Sequence, residues 1–199
     1  YLALKQLGST YMQFIPIVER HAQTQSITDF SVPSEGYGQF LVDVFHEWYE
    51  HDVGKIYVSQ FDNLLGQWLG YPSTTCVHQP TCGQSLVAEA NGDVYACDHF
   101  VYPEYKVGNL TQQPLTEIVF SSKQQQFGLE KSQKLTALCR HCEFRKLCYG
   151  GCPKHRFVSL ENEPNLHNYL CASYRYLFEQ TAPYMQAMAR QIRLHPSAA

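Results

Sequence analysis

All eight cysteines of the chain lie between positions 76 and 171. Cys76, Cys82 and Cys97 form one group, with Gly92 between the last two, in the pattern C-x5-C-x9-G-x4-C. Cys139, Cys142, Cys148 and Cys152 form a second, C-x2-C-x5-C-x3-C, and Cys171 follows. Eight thiolates make two sets of four, and four thiolates are what an iron–sulfur cluster or a structural zinc takes. Spacing does not separate those two thiolate-bound centres. Four disulfides of a secreted protein are the other reading of an even count. The C-x2-C spacing argues for a metal knuckle instead. His99, His141 and His155 lie close to cysteines, but eight thiolates already fill two sites, so these histidines are expected outside the ligand set. Lys154 and Arg156 could balance the charge of such a site; a solvated face is their plainer role.

Several elements must position these side chains. Leu86-Val87-Ala88-Glu89-Ala90 and Asp93-Val94-Tyr95-Ala96-Cys97 flank Asn91-Gly92, a strong type I′ turn signal. The expected hairpin folds the chain back and carries Cys97 toward Cys82. Gly150-Gly151 lets the backbone wrap closely inside the second group. A short helix is expected over Pro114–Phe120, and the run Gln124–Gln126 is expected to be exposed. From Tyr169 to about Arg193 a helix is expected, broken at Pro183, with Leu170, Tyr174, Leu177 and Phe178 as a core stripe.

The first 70 residues have a different texture and read as an ordinary intracellular α/β segment. Tyr11–Val18 is apolar and β-rich, so a buried strand is expected. Ser34 is expected to cap a helix with the stripe Leu41, Val44, Phe45, Trp48 and Tyr49, and Gly54 to end it. Ile56-Tyr57-Val58 reads as a short extended piece, and Phe61–Leu69 as a helix ending at Gly70-Tyr71-Pro72, a candidate boundary. Gln13 and Ile15 lie on this expected strand, where a packed strand is their plain role.

Composition narrows the class. Apolar residues make up 44% of 199, enough for a core, so disorder is not expected. The net charge of −3, without a basic stripe, points away from nucleic acid. No stretch of about 18 apolar residues suggests a membrane span. The chain opens Tyr1-Leu2-Ala3, without the basic region of a secretory signal and without Met, so it is expected to be part of something longer.

The cysteine pattern, with Gly92, resembles the SPASM domain of radical S-adenosylmethionine enzymes, met at Cys82, Gly92, Cys97, Cys139, Cys142, Cys148, Cys152 and Cys171. Further strings are similar to the anaerobic sulfatase-maturating enzymes. They are Gln13-Phe14-Ile15-Pro16, Cys97-Asp98-His99-Phe100-Val101, Val107-Gly108-Asn109-Leu110, Phe127-Gly128, Cys148-Tyr149-Gly150-Gly151-Cys152-Pro153-Lys154-His155-Arg156-Phe157 and Asn168-Tyr169-Leu170-Cys171. The extra upstream Cys76 supports this narrower resemblance, which runs from about Tyr11 to Met188.

The resemblance implies an α/β fold: residues 1–72 as the C-terminal end of a partial (β/α)6 barrel, and 73–199 as an α+β SPASM domain with a β-hairpin and C-terminal helices. It implies that Cys76, Cys82, Cys97 and Cys152 hold one [4Fe–4S] cluster and that Cys139, Cys142, Cys148 and Cys171 hold a second. Full ligation then argues for electron transfer rather than substrate coordination. The implied reaction converts a cysteine or serine of an unfolded sulfatase to Cα-formylglycine. A 5′-deoxyadenosyl radical made from S-adenosylmethionine abstracts a Cβ hydrogen, and the product radical loses a proton and an electron. Asp98, beside Cys97, is implied as the base, with a pKa expected to be raised by desolvation; capping a turn or pairing with His99 is its alternative role. Gln13 and Ile15 are placed at the S-adenosylmethionine or substrate cleft. A flavodoxin or ferredoxin is the implied electron donor and the cytoplasm the implied location.

The radical motif C-x3-C-x2-C is absent, because no cysteine precedes Cys76. The 199 residues alone are therefore expected to be inactive, with a third [4Fe–4S] cluster in the full-length enzyme. Two other functions stay open: a SPASM maturase of another peptide, for example one forming a thioether crosslink, and a non-catalytic four-cysteine metal module that recognises peptides.

Overall fold

Residues recurring every three to four positions bury one side of a helix, and Leu41, Val44, Phe45 and Trp48 do so here on α2 (Gly36–His51). The computed structural model describes residues 1–83 and 85–195. It divides into two units, Tyr1–Thr74 with Tyr169–Ala199, and Thr75–Asn168. The first contains α1 (Leu2–Gln6), β1 (Tyr11–Met12), α2, β2 (Tyr57–Val58), α3 (Ser59–Leu69) and α8 (Cys171–Leu194). The second contains β3 (Val87–Ala88), β4 (Asp93–Tyr95), β5 (Lys106–Asn109), α4 (Leu115–Val119), α5 (Ser122–Gln133), α6 (Ala137–Arg140), α7 (Arg145–Cys148), β6 (Arg156–Val158) and β7 (His167–Asn168). Among the described residues no helix is long and apolar enough to cross a membrane.

In the first unit β1 and β2 pair in parallel, Tyr11 with Tyr57 and Met12 with Val58. Parallel neighbours need a crossover, and α2 lies on it. The long strand expected over Tyr11–Val18 stops at Met12. Beyond it the backbone of Phe14 is taken by side chains: its N–H donates to Gln60 Oε1 at 3.3 Å, and its carbonyl accepts from Gln60 Nε2 at 2.5 Å and Tyr37 Oη at 2.7 Å. Pro16 has no N–H to offer a ladder. Met12 and Val18 are buried, whereas Ile15 is 69% exposed.

Ser34 does not cap α2. Glu35 occupies the cap position without a side-chain bond, and Ser34 Oγ instead donates to the carbonyl of Tyr169 at 2.5 Å. Gly54, expected to end α2, lies beyond its cap residue Asp52, in a left-handed turn. Gly70 does end α3, with φ +99°. Pro183 does not break α8, which runs through it. An interior proline costs about 3 kcal/mol, but Tyr174, Leu177 and Phe178 before it and Met185 and Met188 after it are all buried. Continuity keeps one apolar face on both sides of the proline.

The α2–α8 contact is close at Gly38, whose N–H donates to Ser173 Oγ at 2.8 Å. A Cβ added there would stand 2.7 Å from Ser173 Cα. Gly38→Ala is therefore expected to destabilise the fold by about 1–3 kcal/mol through overpacking, despite alanine's better helix propensity. Urea unfolding measures it; an unchanged or raised midpoint would contradict the packing argument.

In the second unit β3, β4 and β5 form an antiparallel sheet in that order. The hairpin exists, but not with a type I′ turn. Val87 pairs with Tyr95 and Ala88 with Val94, while Glu89 N–H donates to the Asp93 carbonyl at 2.8 Å. Ala90–Gly92 is thus a three-residue loop, closed by Gly92 N–H on the Glu89 carbonyl at 2.9 Å, with Gly92 alone left-handed at φ +84°. This is the type I turn with a glycine bulge that three-residue hairpins favour. Val94, Ala96, Val107 and Ile118 form the core, with Leu86 and Phe127 packed against it.

Candidate metal centre

Each cysteine of the first set is held by a different piece of backbone. Cys76 opens a short 3₁₀ turn, Cys76–His78. Cys82 N–H donates to the carbonyl of Gly128 on α5 at 3.1 Å, and α5 sits so close that any Cβ at Gly128 would meet the Cys82 carbonyl. One turn earlier on α5, Gln124 Nε2 donates to the carbonyls of Gly83 at 2.9 Å and Ala96 at 3.1 Å. It therefore ties the residue after Cys82 to the residue before Cys97. Gln124 was expected at the surface with Gln125 and Gln126, yet it is buried. It shares the inner face with Gly128, four residues on. Cys152 follows Gly151, and its carbonyl accepts from Asn168 Nδ2 at 3.2 Å.

Burial pushes the Cys82 thiol up, the Cys97 thiol to about 12 and the Cys152 thiol to about 11. Neighbouring sulfurs add to this: Cys76 acts on Cys82, Cys152 on Cys97, and Cys82 with Cys76 on Cys152. The four side chains thus share one electrostatic neighbourhood.

Two cations lie within it. Lys131 on α5 is 1% exposed, its ammonium donating to the carbonyls of Cys76 at 2.5 Å and Val77 at 3.0 Å. Burial pulls its pKa down, and Cys82, Cys152 and Cys76 pull it back up. Arg156 donates to the carbonyls of Lys131 at 2.7 Å, Tyr149 at 2.9 Å and Gly150 at 3.1 Å, with a longer bond to Gly151 at 3.4 Å. Burial lowers its pKa too, against Cys139, Cys82, Cys148 and Cys152. Among the described residues neither cation has a carboxylate partner. A buried charge is costly without a counter-charge. Thiolates on an electron-poor centre supply one, so the donor set and the two cations fit an anionic four-thiolate group. Among the described residues no group of three or more His, Cys, Asp or Glu side chains has single-ion spacing. Thiolates on the separate irons of a cluster need no such spacing.

The second set begins on α6, where Cys139 N–H donates to its capping residue Thr136 through Oγ1 at 3.3 Å. His167 Nδ1 lies 3.1 Å from that hydroxyl and 3.7 Å from Cys139 Sγ. Cys142 N–H donates to the Cys139 carbonyl at 3.3 Å, and Cys148 ends α7. Tyr149, Gly150 and Gly151 then follow with φ of +49°, +72° and +62°. Three left-handed residues in a row curl the chain from Cys148 to Cys152 around the Arg156 guanidinium. The two glycines make that curl affordable. Cys171 is the first residue of α8, in the first unit.

Asp98 opens a 3₁₀ turn, Asp98–Phe100, directly after Cys97. Its Oδ1 accepts from the Cys97 thiol at 3.1 Å and from His99 N–H at 3.0 Å. The pKa expected to rise is instead held below the usual carboxylate range, chiefly by the Cys97 thiol. His99 Nδ1 is 3.5 Å from Cys152 Sγ, and His155 is buried beside it, its pKa pushed down to about 4 by burial. His141 is exposed, its Nδ1 2.9 Å from the Ala137 carbonyl. Lys154 Nζ stands 5.8 Å over the Tyr102 ring. Of the two basic candidates, the Arg156 guanidinium lies among the cysteines, whereas Lys154 meets Cys152 through its backbone N–H. Gln13 and Ile15, in the first unit, are exposed just past the carboxyl end of β1.

Residues 76–143 match the family model of SPASM, an iron–sulfur cluster-binding domain. That match covers about a third of the chain. Relatives span almost its whole length. A serine-type anaerobic sulfatase-maturating enzyme of Bacteroides thetaiotaomicron is 42% identical over 207 residues, covering 96% of this chain and 50% of that protein. A cysteine-type enzyme of Clostridium perfringens is 29% identical over 195 residues, covering 97% and 52%. The solved structure of native anSMEcpe with bound AdoMet and Cp18Cys peptide superposes with a TM-score of 0.83 at 30% identity, covering 96% of this chain and 53% of that one. The chain thus spans about half the length of the curated relatives it matches.

Several residues that shape the second unit have no signal in the sequence. Lys131 and Gln124 sit on a polar helix that reads as solvent-exposed. His167 is 28 positions from Cys139. In the first unit Gln60, which pins the peptide between Gln13 and Ile15, gave no hint either. Gly128 carried the one usable cue, a helix-interior glycine, which marks close backbone approach.

Proposed function

We propose that this chain is the auxiliary-cluster half of a radical S-adenosylmethionine enzyme that oxidises a cysteine or serine of a sulfatase to Cα-formylglycine. In this reading residues 1–72 close a partial (β/α)6 barrel and 73–199 form the SPASM domain. The observation that carries the reading is the adjacency of Asp98 Oδ1 and Cys97 Sγ, 3.1 Å apart; near Cys82 and Cys152, Lys131 and Arg156 are buried with no carboxylate partner among the described residues. Cys76, Cys82, Cys97 and Cys152 would hold one [4Fe–4S] cluster, and Cys139, Cys142, Cys148 and Cys171 the other. When bound, these groups supply an electron sink next to the substrate.

The chain's own residues then divide the remaining work. A Cys97 bound as thiolate has no proton to donate, so ligation frees Asp98 Oδ1 from the bond that lowers its pKa. His99 N–H still holds that oxygen. The freed carboxylate takes the thiol or hydroxyl proton of the substrate, and does so beside the electron's destination. Gln13 and Ile15 would face S-adenosylmethionine or substrate from the strand end, held by the Gln60 and Tyr37 bonds to Phe14.

The test uses the full-length protein, reconstituted anaerobically and given sulfatase peptides with serine or cysteine at the target position. Mass spectrometry should show loss of two hydrogens at serine, and at cysteine the same loss with oxygen in place of sulfur. The two auxiliary sites should contribute about eight irons and eight sulfides, four of each per cluster. A thioether-crosslinked product would assign it to another class of peptide maturase. Tightly held zinc without cluster absorption would leave only the metal-binding module.

A further inference from the structure

We propose that Arg156 sets the reduction potentials of both auxiliary clusters together, whereas Lys131 acts on the first alone. The proposal rests on the two-cluster reading above. Its basis is the loop Tyr149-Gly150-Gly151, which joins Cys148 of the second set to Cys152 of the first. Arg156 fills that loop, and all three of the loop's carbonyls accept from its guanidinium. Its Nη1 also donates to the Lys131 carbonyl at 2.7 Å, which ties it to the helix supporting Cys82. A Cβ at Gly150 would come within 2.8 Å of Nη2, so the fit is close on the loop side.

The arginine therefore stands at the one place in the second unit where three residues separate a ligand of one set from a ligand of the other. Sulfurs of both sets, Cys82 and Cys152 with Cys139 and Cys148, bear on it. The ammonium of Lys131 donates to the Cys76 and Val77 carbonyls, and the sulfurs named as bearing on it, Cys82, Cys152 and Cys76, all belong to the first set. A cluster gains negative charge on reduction, and a fixed cation nearby stabilises the reduced form. One guanidinium shared by two clusters raises both potentials. It therefore shifts the first electron acceptor and the next in step, leaving the gap between them unchanged.

The experiment is an EPR-monitored redox titration of full-length, cluster-loaded protein. Arg156→Gln keeps hydrogen-bond donors and removes the charge. At a fixed solution potential it should lower the reduced-to-oxidised ratio of both auxiliary clusters about tenfold, which is 59 mV for one electron. Lys131→Met should do so for the first cluster only. Arg156→Lys should leave both ratios within about threefold of wild type. Iron and sulfide content is measured on every variant. Loaded Arg156→Gln with both potentials unchanged, or with only one moved, overturns the proposal. If Arg156→Gln does not load, the other two variants decide. Arg156→Lys shifting both ratios tenfold, or Lys131→Met moving both or neither, overturns it. Wild-type protein that binds zinc or no cluster refutes the underlying reading instead.

Discussion

Asp98→Asn in the full-length protein is expected to slow formylglycine formation by about 10²–10⁴-fold, the usual contribution of a positioned base, while iron and sulfide content stay at wild-type levels. Asparagine matches the carboxylate in shape, and its side-chain oxygen still accepts from His99 N–H, 3.0 Å away in the native turn. What it lacks is a site for the substrate proton. Cys97 is positioned by β4 and by the Ala96 carbonyl, which Gln124 holds at 3.1 Å; neither depends on Asp98. Cleavage of S-adenosylmethionine, followed by chromatography of 5′-deoxyadenosine, should survive the substitution, because that step precedes proton removal. Product formation is measured by mass spectrometry of the peptide. Turnover within a few-fold of wild type would remove Asp98 as base. Loss of clusters would instead make it a structural partner of Cys97.

Phe45→Ala should destabilise the first unit by about 3–5 kcal/mol, the range for deleting a buried aromatic ring. Phe45 is fully buried and central to an aromatic cluster. Its ring lies 5.3 Å from Phe61, 5.8 Å from Tyr184 and 5.9 Å from both Trp48 and Tyr49. Trp48 is itself anchored by its Nε1 donating to the Ile56 carbonyl at 2.8 Å, so the ring cluster cannot collapse freely into the void. A domain is stable by about 5–15 kcal/mol in all, so this one change removes a large share. Denaturant unfolding followed by the fluorescence of Trp48 and Trp68 measures it. A loss under about 1 kcal/mol would show that Phe45 is not the keystone of the α2, α3 and α8 packing.

The parts of the fold that follow a period or a spacing were legible in the sequence. The α2 stripe, the α3 helix with Gly70 at its end, the hairpin at Gly92 and the short α4 all stand where their residue patterns put them. What failed depended on bonds between distant residues. Nothing near Ser34 says that its hydroxyl will choose the carbonyl of Tyr169, 135 positions away, over its own helix. Nothing near Tyr11–Val18 announces that Gln60 and Tyr37 will take the Phe14 backbone from a sheet. The turn type turned on register: shifting the pairing by one residue flips every side chain, and the core chose the register that buries Val94. At the candidate metal centre the cysteines stand out in the sequence because metal ligands obey fixed spacings, and Asp98 because it adjoins one of them; their ligation is the proposal, not a finding. Lys131 and Gln124 were not, since a lysine and a glutamine on a polar helix look solvated until the cavity they enter is known. The Asp98 pKa moves against the desolvation expectation because the Cys97 thiol donates to its carboxylate and outweighs burial.

The division of the chain also bears on the order in which it folds. The first unit is discontinuous: Tyr1–Thr74 is completed by a segment that begins at Tyr169, after the whole of the second unit. The apolar stripe of α2 gains its α8 partner only when synthesis has passed Cys171. At about 5–20 residues per second, ribosomes need about 6–24 seconds for the intervening stretch. Throughout that interval the apolar stripe of α2 lacks its α8 partner. Closing so long a loop also carries an entropic cost that grows with its length. Early compaction of residues 75–168 would shorten the effective loop, so the nascent chain is best served by a second unit that folds first and a first unit that waits, shielded in the meantime by chaperones that hold exposed apolar helices.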